Sequence, residues 1–105
     1  MRDLKNYERD LLLCLLRDVQ GQTFNLNDIK VEEINDGKMG SLYFIHDQKS
    51  VSQRKMGKCI AERKFNDSDN LPILVSLNVD EDGNLFELDI WKVDFSHIKL
   101  FPRCG

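Results

Sequence analysis

The sequence predicts an α+β fold: an N-terminal amphipathic helix packed on an antiparallel sheet of about five strands built from hairpins. Three observations predict it. Leu71 to Phe95 holds two β-rich runs flanking Asp82-Gly83, a pair suited to a tight type I′ turn. Asp3 to Val19 carries an apolar stripe at helical spacing, and Ile29 to His46 reads as a further hairpin around Asn35-Asp36-Gly37. At 105 residues the chain fits a single domain, 1–105, with one modest core.

Taken in order, Leu4, Tyr7, Leu11, Leu12, Leu15, Leu16 and Val19 recur three and four apart, so a helix over Asp3 to Val19 buries one stripe. Asp3 is the expected N-cap, and Gly21 follows as the expected C′ residue. Gln22 to Asp28 is a polar connection. In the first hairpin, a turn on Asp36-Gly37 pairs Val31 with Leu42 and Ile29 with Phe44, and Gly40 leaves room for a bulge or a longer loop. His46 to Gly57 is a polar loop, Lys58 to Phe65 a third strand of weaker alternation, and Asn66 to Asn70 a turn by composition. In the last hairpin, centring the turn on Asp82-Gly83 pairs Val79 with Phe86, Leu77 with Leu88 and Val75 with Ile90 on one face. Ser76, Asn78, Glu87, Asp89, Leu74 and Trp91 fall on the other. The tail keeps Ile98, Leu100 and Phe101 and is expected to pack against the body before Pro102.

Composition is that of an ordinary soluble protein, and no run approaches the roughly 20 apolar residues of a membrane span. The N-terminus lacks the apolar stretch and cleavage site of a signal peptide, so a cytoplasmic location is expected. Cys14, Cys59 and Cys104 are odd in number and widely separated, which predicts three reduced thiols. The net charge of −3 conceals a polarity along the chain. Lys49, Arg54, Lys55, Lys58, Arg63 and Lys64 dominate Ser41 to Asn66. Asp67, Asp69, Asp80, Glu81, Asp82, Glu87, Asp89 and Asp94 face only Lys92 between Asp67 and Phe95. Such asymmetry steers a charged partner or pairs the two segments internally.

Tests for chemistry return little. Asn78, Asp80, Asp82, Gly83 and Asp89 partly match a calcium loop, but the flanks alternate as strands where that loop needs helices. His46 and His97, the two histidines, share no motif with a cysteine. No glycine loop precedes a helix to cradle phosphate. No cofactor or metal is implied, and the expected activity is binding rather than catalysis. The basic segment 49–64 raises nucleic-acid binding or a small enzymatic domain as the alternative, against which the acidic balance of the chain argues. The predicted partner-binding residues are Asp80, Glu81, Asp82, Glu87, Asp89 and Trp91, an indole among carboxylates that suits a cationic protein partner. A homodimer closing on an exposed sheet edge is a third reading.

The blocks ILVSL and DEDGNLFELDIWKVDF, with the leucine-rich N-terminal helix, resemble a bacterial family of small uncharacterised proteins of about this length, marked by a C-terminal ELDxWKxDF signature. The family pattern has proline after the serine, where this chain has His97. In size and type these proteins are similar to the immunity proteins of bacterial toxin systems, including contact-dependent growth inhibition. The family supplies no activity of its own. With that analogy of class, the small size, the acidic strand pair, the reduced cysteines and the lack of a catalytic set lead to the expectation of a cytoplasmic immunity protein that binds and neutralises a cationic toxin domain through an acidic surface, without touching a membrane.

Overall fold

A computed structural model describes residues 1–21, 24, 26–27, 29–34, 39–45 and 53–104. The elements run β1 (Arg2–Asp3), α1 (Asn6–Leu16), β2 (Lys30–Glu33), β3 (Leu42–Ile45), β4 (Met56–Asn66), β5 (Pro72–Asp80) and β6 (Leu85–Lys92). The strands form one antiparallel sheet in the order β1-β2-β3-β6-β5-β4. The architecture is α+β, with six strands in place of the expected five.

The additional strand comes from the N-terminus. Arg2 and Asp3 pair with Val31 and Lys30, and α1 begins only after Lys5. Asp3 therefore does not cap the helix; its carboxylate meets Lys30 beside it in the sheet. The helix start is held instead by Glu8, whose side chain reaches back to accept the Lys5 N–H at 2.8 Å. Glu8 also takes both arms of the Arg2 guanidinium, at 2.7 and 2.8 Å, which ties β1 to α1. Burial works against this carboxylate, but the hydrogen bonds from Arg2 and Lys5 outweigh it and hold it below the ordinary carboxylate range.

One face of the sheet is covered by α1. Leu11, Leu12 and Leu15 pack into a cluster with Val31, Leu42, Phe44, Ala61, Ile73, Val75, Leu77, Val79, Leu85, Leu88 and Ile90. Along β2, β3 and β5 these residues alternate with ones on the other face, and in β6 Leu88 and Ile90 keep that alternation while Leu85 rejoins the layer across a register shift.

Two registers differ from expectation. In the first hairpin, Val31 pairs with Phe44 and Glu33 with Leu42, two residues away from the predicted alignment. An even slip keeps every side chain on its own face, so alternation alone does not distinguish the two alignments. The predicted Asp36-Gly37 turn lies outside the described residues, as do His46 and most of the polar loop. In the last hairpin Leu77 pairs with Leu88 and Val75 with Ile90 as expected, but Val79 faces Leu85 rather than Phe86. A register shift after Asn78 turns the Phe86 ring toward Tyr43, with centroids 5.5 Å apart. The turn is not type I′. Asp80 accepts the Gly83 N–H and donates its own N–H to the Asn84 carbonyl, with Gly83 at φ +85°. That is the longer loop with a left-handed glycine.

The cysteine expectation is also corrected. Cys14 on α1 and Cys104 in the tail are joined in a disulfide, with Cα atoms 6.1 Å apart, and exposed Cys59 is the free thiol. The tail crosses back over α1, where Phe101 stacks edge-on against Tyr7 at 4.7 Å. A separation of 90 residues hides that proximity from the sequence. No described helix is long and apolar enough to cross a membrane.

Candidate functional site

Two ion-pair clusters explain which charges are structural. Arg54, just before β4, is buried with Asp80 at the end of β5, the Nε donating to Oδ2 at 2.9 Å. Its other nitrogens donate to the carbonyls of Phe44 and Leu85, and its guanidinium lies 5.1 Å from the Phe86 ring centre. Asp80 Oδ1 accepts the N–H groups of Asp82 and Asn84 at 2.9 and 3.0 Å, so this side chain shapes the hairpin tip. Burial disfavours the Asp80 charge, but the Asn84, Arg54 and Asp82 donors prevail and keep it below the ordinary range.

The second cluster centres on Lys92, whose side chain is 0% exposed. Its ammonium donates to Asp67 at 2.9 Å and Asp69 at 2.6 Å. Asp67 accepts three backbone N–H groups besides, from Ser68, Lys99 and Leu100. Burial opposes its charge, yet these donors hold the carboxyl far below the usual range. Lys92 and Asp67 thus fasten the tail to the end of β6.

The opposite face of the sheet is the candidate site. Cross-strand pairs Leu74–Trp91, Ser76–Asp89 and Asn78–Glu87 line up along β5 and β6, in the predicted alternation. Along this row Asp89 is exposed, Leu74, Ser76, Glu87 and Trp91 are half-buried, and Asn78 is buried. Trp91 is half-buried, its ring 5.6 Å from the exposed Phe95 ring. Asn78 Nδ2 donates to Glu87 Oε1 at 3.0 Å, and Ser76 Oγ donates to Glu62 Oε2 of β4 at 3.1 Å. Asn78 Oδ1 is buried without a hydrogen-bond partner among the described residues. Burial raises the Glu87 carboxyl above its ordinary value, and the Asp89 charge adds to it; the Asn78 hydrogen bond only partly offsets them.

The predicted site residues therefore separate into three groups. Glu87, Asp89 and Trp91 share the open face. Glu81 and Asp82 are exposed at the hairpin tip. Asp80, expected at the surface with them, is 4% exposed and committed to Arg54, one of several cations in a loop distant in sequence. The basic segment is also dispersed. Arg54 is buried, Arg63 pairs with Asp18 of the helix layer at 3.0 Å, Lys64 pairs across to Leu74 on the open face, and Lys49 lies outside the described residues. The residues that the sequence missed are those of the Lys92 cluster.

The family described as a domain of unknown function (DUF6984) matches residues 1–102, and the chain belongs to it. No curated protein and no solved structure matches.

Proposed function

We propose that this chain is a non-enzymatic binding protein of the bacterial cytoplasm, an immunity protein that neutralises a cognate toxin by engaging a cationic domain. The observation that carries the reading is the open row on β6, where Glu87, Asp89 and Trp91 stand on alternate positions of one strand. A half-buried indole provides an anchor of large area, and carboxylates beside it select a basic partner. The raised Glu87 carboxyl supports the same reading, because a lysine or arginine arriving beside it favours the charged form. Glu81 and Asp82 at the tip extend the acidic surface and act mainly on the rate of encounter. Asp80 has no part in contact; it builds the tip that presents them.

The test is a binding titration between this chain and the product of the adjacent gene, the expected toxin. Glu87→Lys with Asp89→Lys is expected to weaken the complex by about 2–5 kcal/mol, mostly through faster dissociation. An unchanged affinity removes this face from the proposal. Failure to form any complex that survives moderate salt removes the immunity role itself.

A further inference from the structure

We infer that Cys14 and Cys104 form a reversible redox clasp that fixes the segment around Cys104 on α1, with a dithiol as its reducing substrate. The inference stands apart from the proposed binding face, since the clasp lies on the helix side of the sheet. The Cα separation of 6.1 Å falls within the span of a disulfide. The two sulfurs have unlike surroundings. Cys14 is wholly buried, whereas Cys104 is half-buried and accepts a hydrogen bond from Arg63 Nη1 at 3.2 Å. A cleft of about 300 Å³ between α1 and the tail, walled by Tyr7, Leu13, Arg17 and Arg103, leads to Cys104.

The tail has two attachments in series. Asp67 accepts the N–H groups of Lys99 and Leu100 and holds the chain to that point with no help from sulfur. Beyond it, residues 101–104 rely on the disulfide and on the packing of Phe101 and Pro102. Breaking the sulfur bond therefore frees residues 101–104 from α1 and leaves the sheet anchored.

The accessible sulfur fixes the order of events. A reducing thiolate attacks Cys104 Sγ, forming a mixed disulfide, and displaces Cys14 as a thiolate that takes one proton. The second thiol of the reductant gives up its proton and attacks its own half of the mixed disulfide. Cys104 leaves as a thiolate beside the Arg63 guanidinium, which stabilises its charge. Two electrons pass from the dithiol to the protein; the dithiol departs as a disulfide, and its two protons go to the released sulfurs or to solvent. A reducing compartment opens the clasp, and an oxidising one closes it.

The experiment uses the full chain with Cys59→Ser, so that only one pairing is available. After mild oxidation, alkylation in denaturant followed by mass measurement is expected to add no label, and after dithiothreitol to add it at both remaining cysteines. Backbone 15N relaxation is then compared between the two states. Reduction is expected to lower the backbone order parameter at Phe101, Arg103 and Cys104 from about 0.85 to below about 0.6, with Leu100 and the β5–β6 amides unchanged. Label at both cysteines before reduction overturns the bond. Unchanged order parameters in the tail overturn the clasp, and lost order throughout the sheet shows a global staple instead of a local release.

Discussion

Asp80 and Glu87 flank one hairpin, and burial pushes both toward the neutral acid, yet they settle on opposite sides of their ordinary values. The difference is the supply of donors. Asp80 receives Arg54 and two backbone N–H groups, while Glu87 receives Asn78 alone and has Asp89 for a neighbour. Three donors overcome desolvation, and one does not. An acidic hairpin is thus two things at once: a closed structural corner at Asp80 and a charge-strained surface at Glu87.

The strongest way to break this comparison is Asp80→Ala. It leaves the Arg54 guanidinium buried without its counter-charge and is expected to cost about 3–5 kcal/mol of stability by chemical denaturation. A loss below about 1 kcal/mol, within the range of surface substitutions and modest contacts, would place Asp80 with the surface acids after all. Gly57→Ala strikes the same corner through the backbone. A Cβ there would lie 2.4 Å from the Asp80 carbonyl oxygen, so β4 must shift, and about 1–3 kcal/mol of destabilisation is expected.

Acid titration separates the two groups by sign. Asp67 and Asp80 sit below their ordinary value of 3.8, so their contribution is present above that pH and is lost as pH falls toward the lowered native values. Glu87 sits above its ordinary 4.5, so its contribution is present below 4.5 and disappears as pH rises through the native value. Urea midpoints measured across the acid range should therefore fall below about pH 4 in the parent chain, and Asp80→Ala should flatten that limb. The smallest effect belongs to Glu87→Gln, which mimics the neutral acid. Its stability at neutral pH should change by no more than about 0.5 kcal/mol, and in the direction of greater stability, by thermal denaturation. A clear loss would show that the Glu87 charge supports the fold.

Much of this was legible in the chain, and the rest fails for identifiable reasons. Period-two alternation places Leu77 opposite Leu88 and puts Glu87, Asp89 and Trp91 on one face, because that periodicity is a property of the strand itself. It is blind to an even slip, which is why Val31 meets Phe44 instead of Leu42. The bulge that takes Phe86 out of its pairing with Val79 and sets it against Tyr43 and Arg54 lies beside the Asp80 corner, and the Arg54 that closes that corner arrives from a separate loop. Strand β1 is too short to show a period, and Asp3 next to a helical stripe reads as a cap. The partner of each buried charge, and of Cys14, lies far along the chain; residue type gives no hint of such a pairing.

The sheet order has a kinetic consequence. Strands β1 to β3 and β4 to β6 are each joined to neighbours in sequence, whereas the seam between them rests on Leu42–Leu88 and Tyr43–Glu87. Arg54 bridges that seam, reaching a carbonyl on each side of it and the end of β5. Local hairpins close over short loops, but the seam requires a long one, so its formation is the step on which folding waits. The pairing of β1 with β2 across α1 also closes a long loop, so only the β2–β3, β4–β5 and β5–β6 contacts are local. Arg54→Met should slow folding in stopped-flow measurements if the bridge is already made at the barrier, and should only hasten unfolding if the guanidinium locks the seam afterwards.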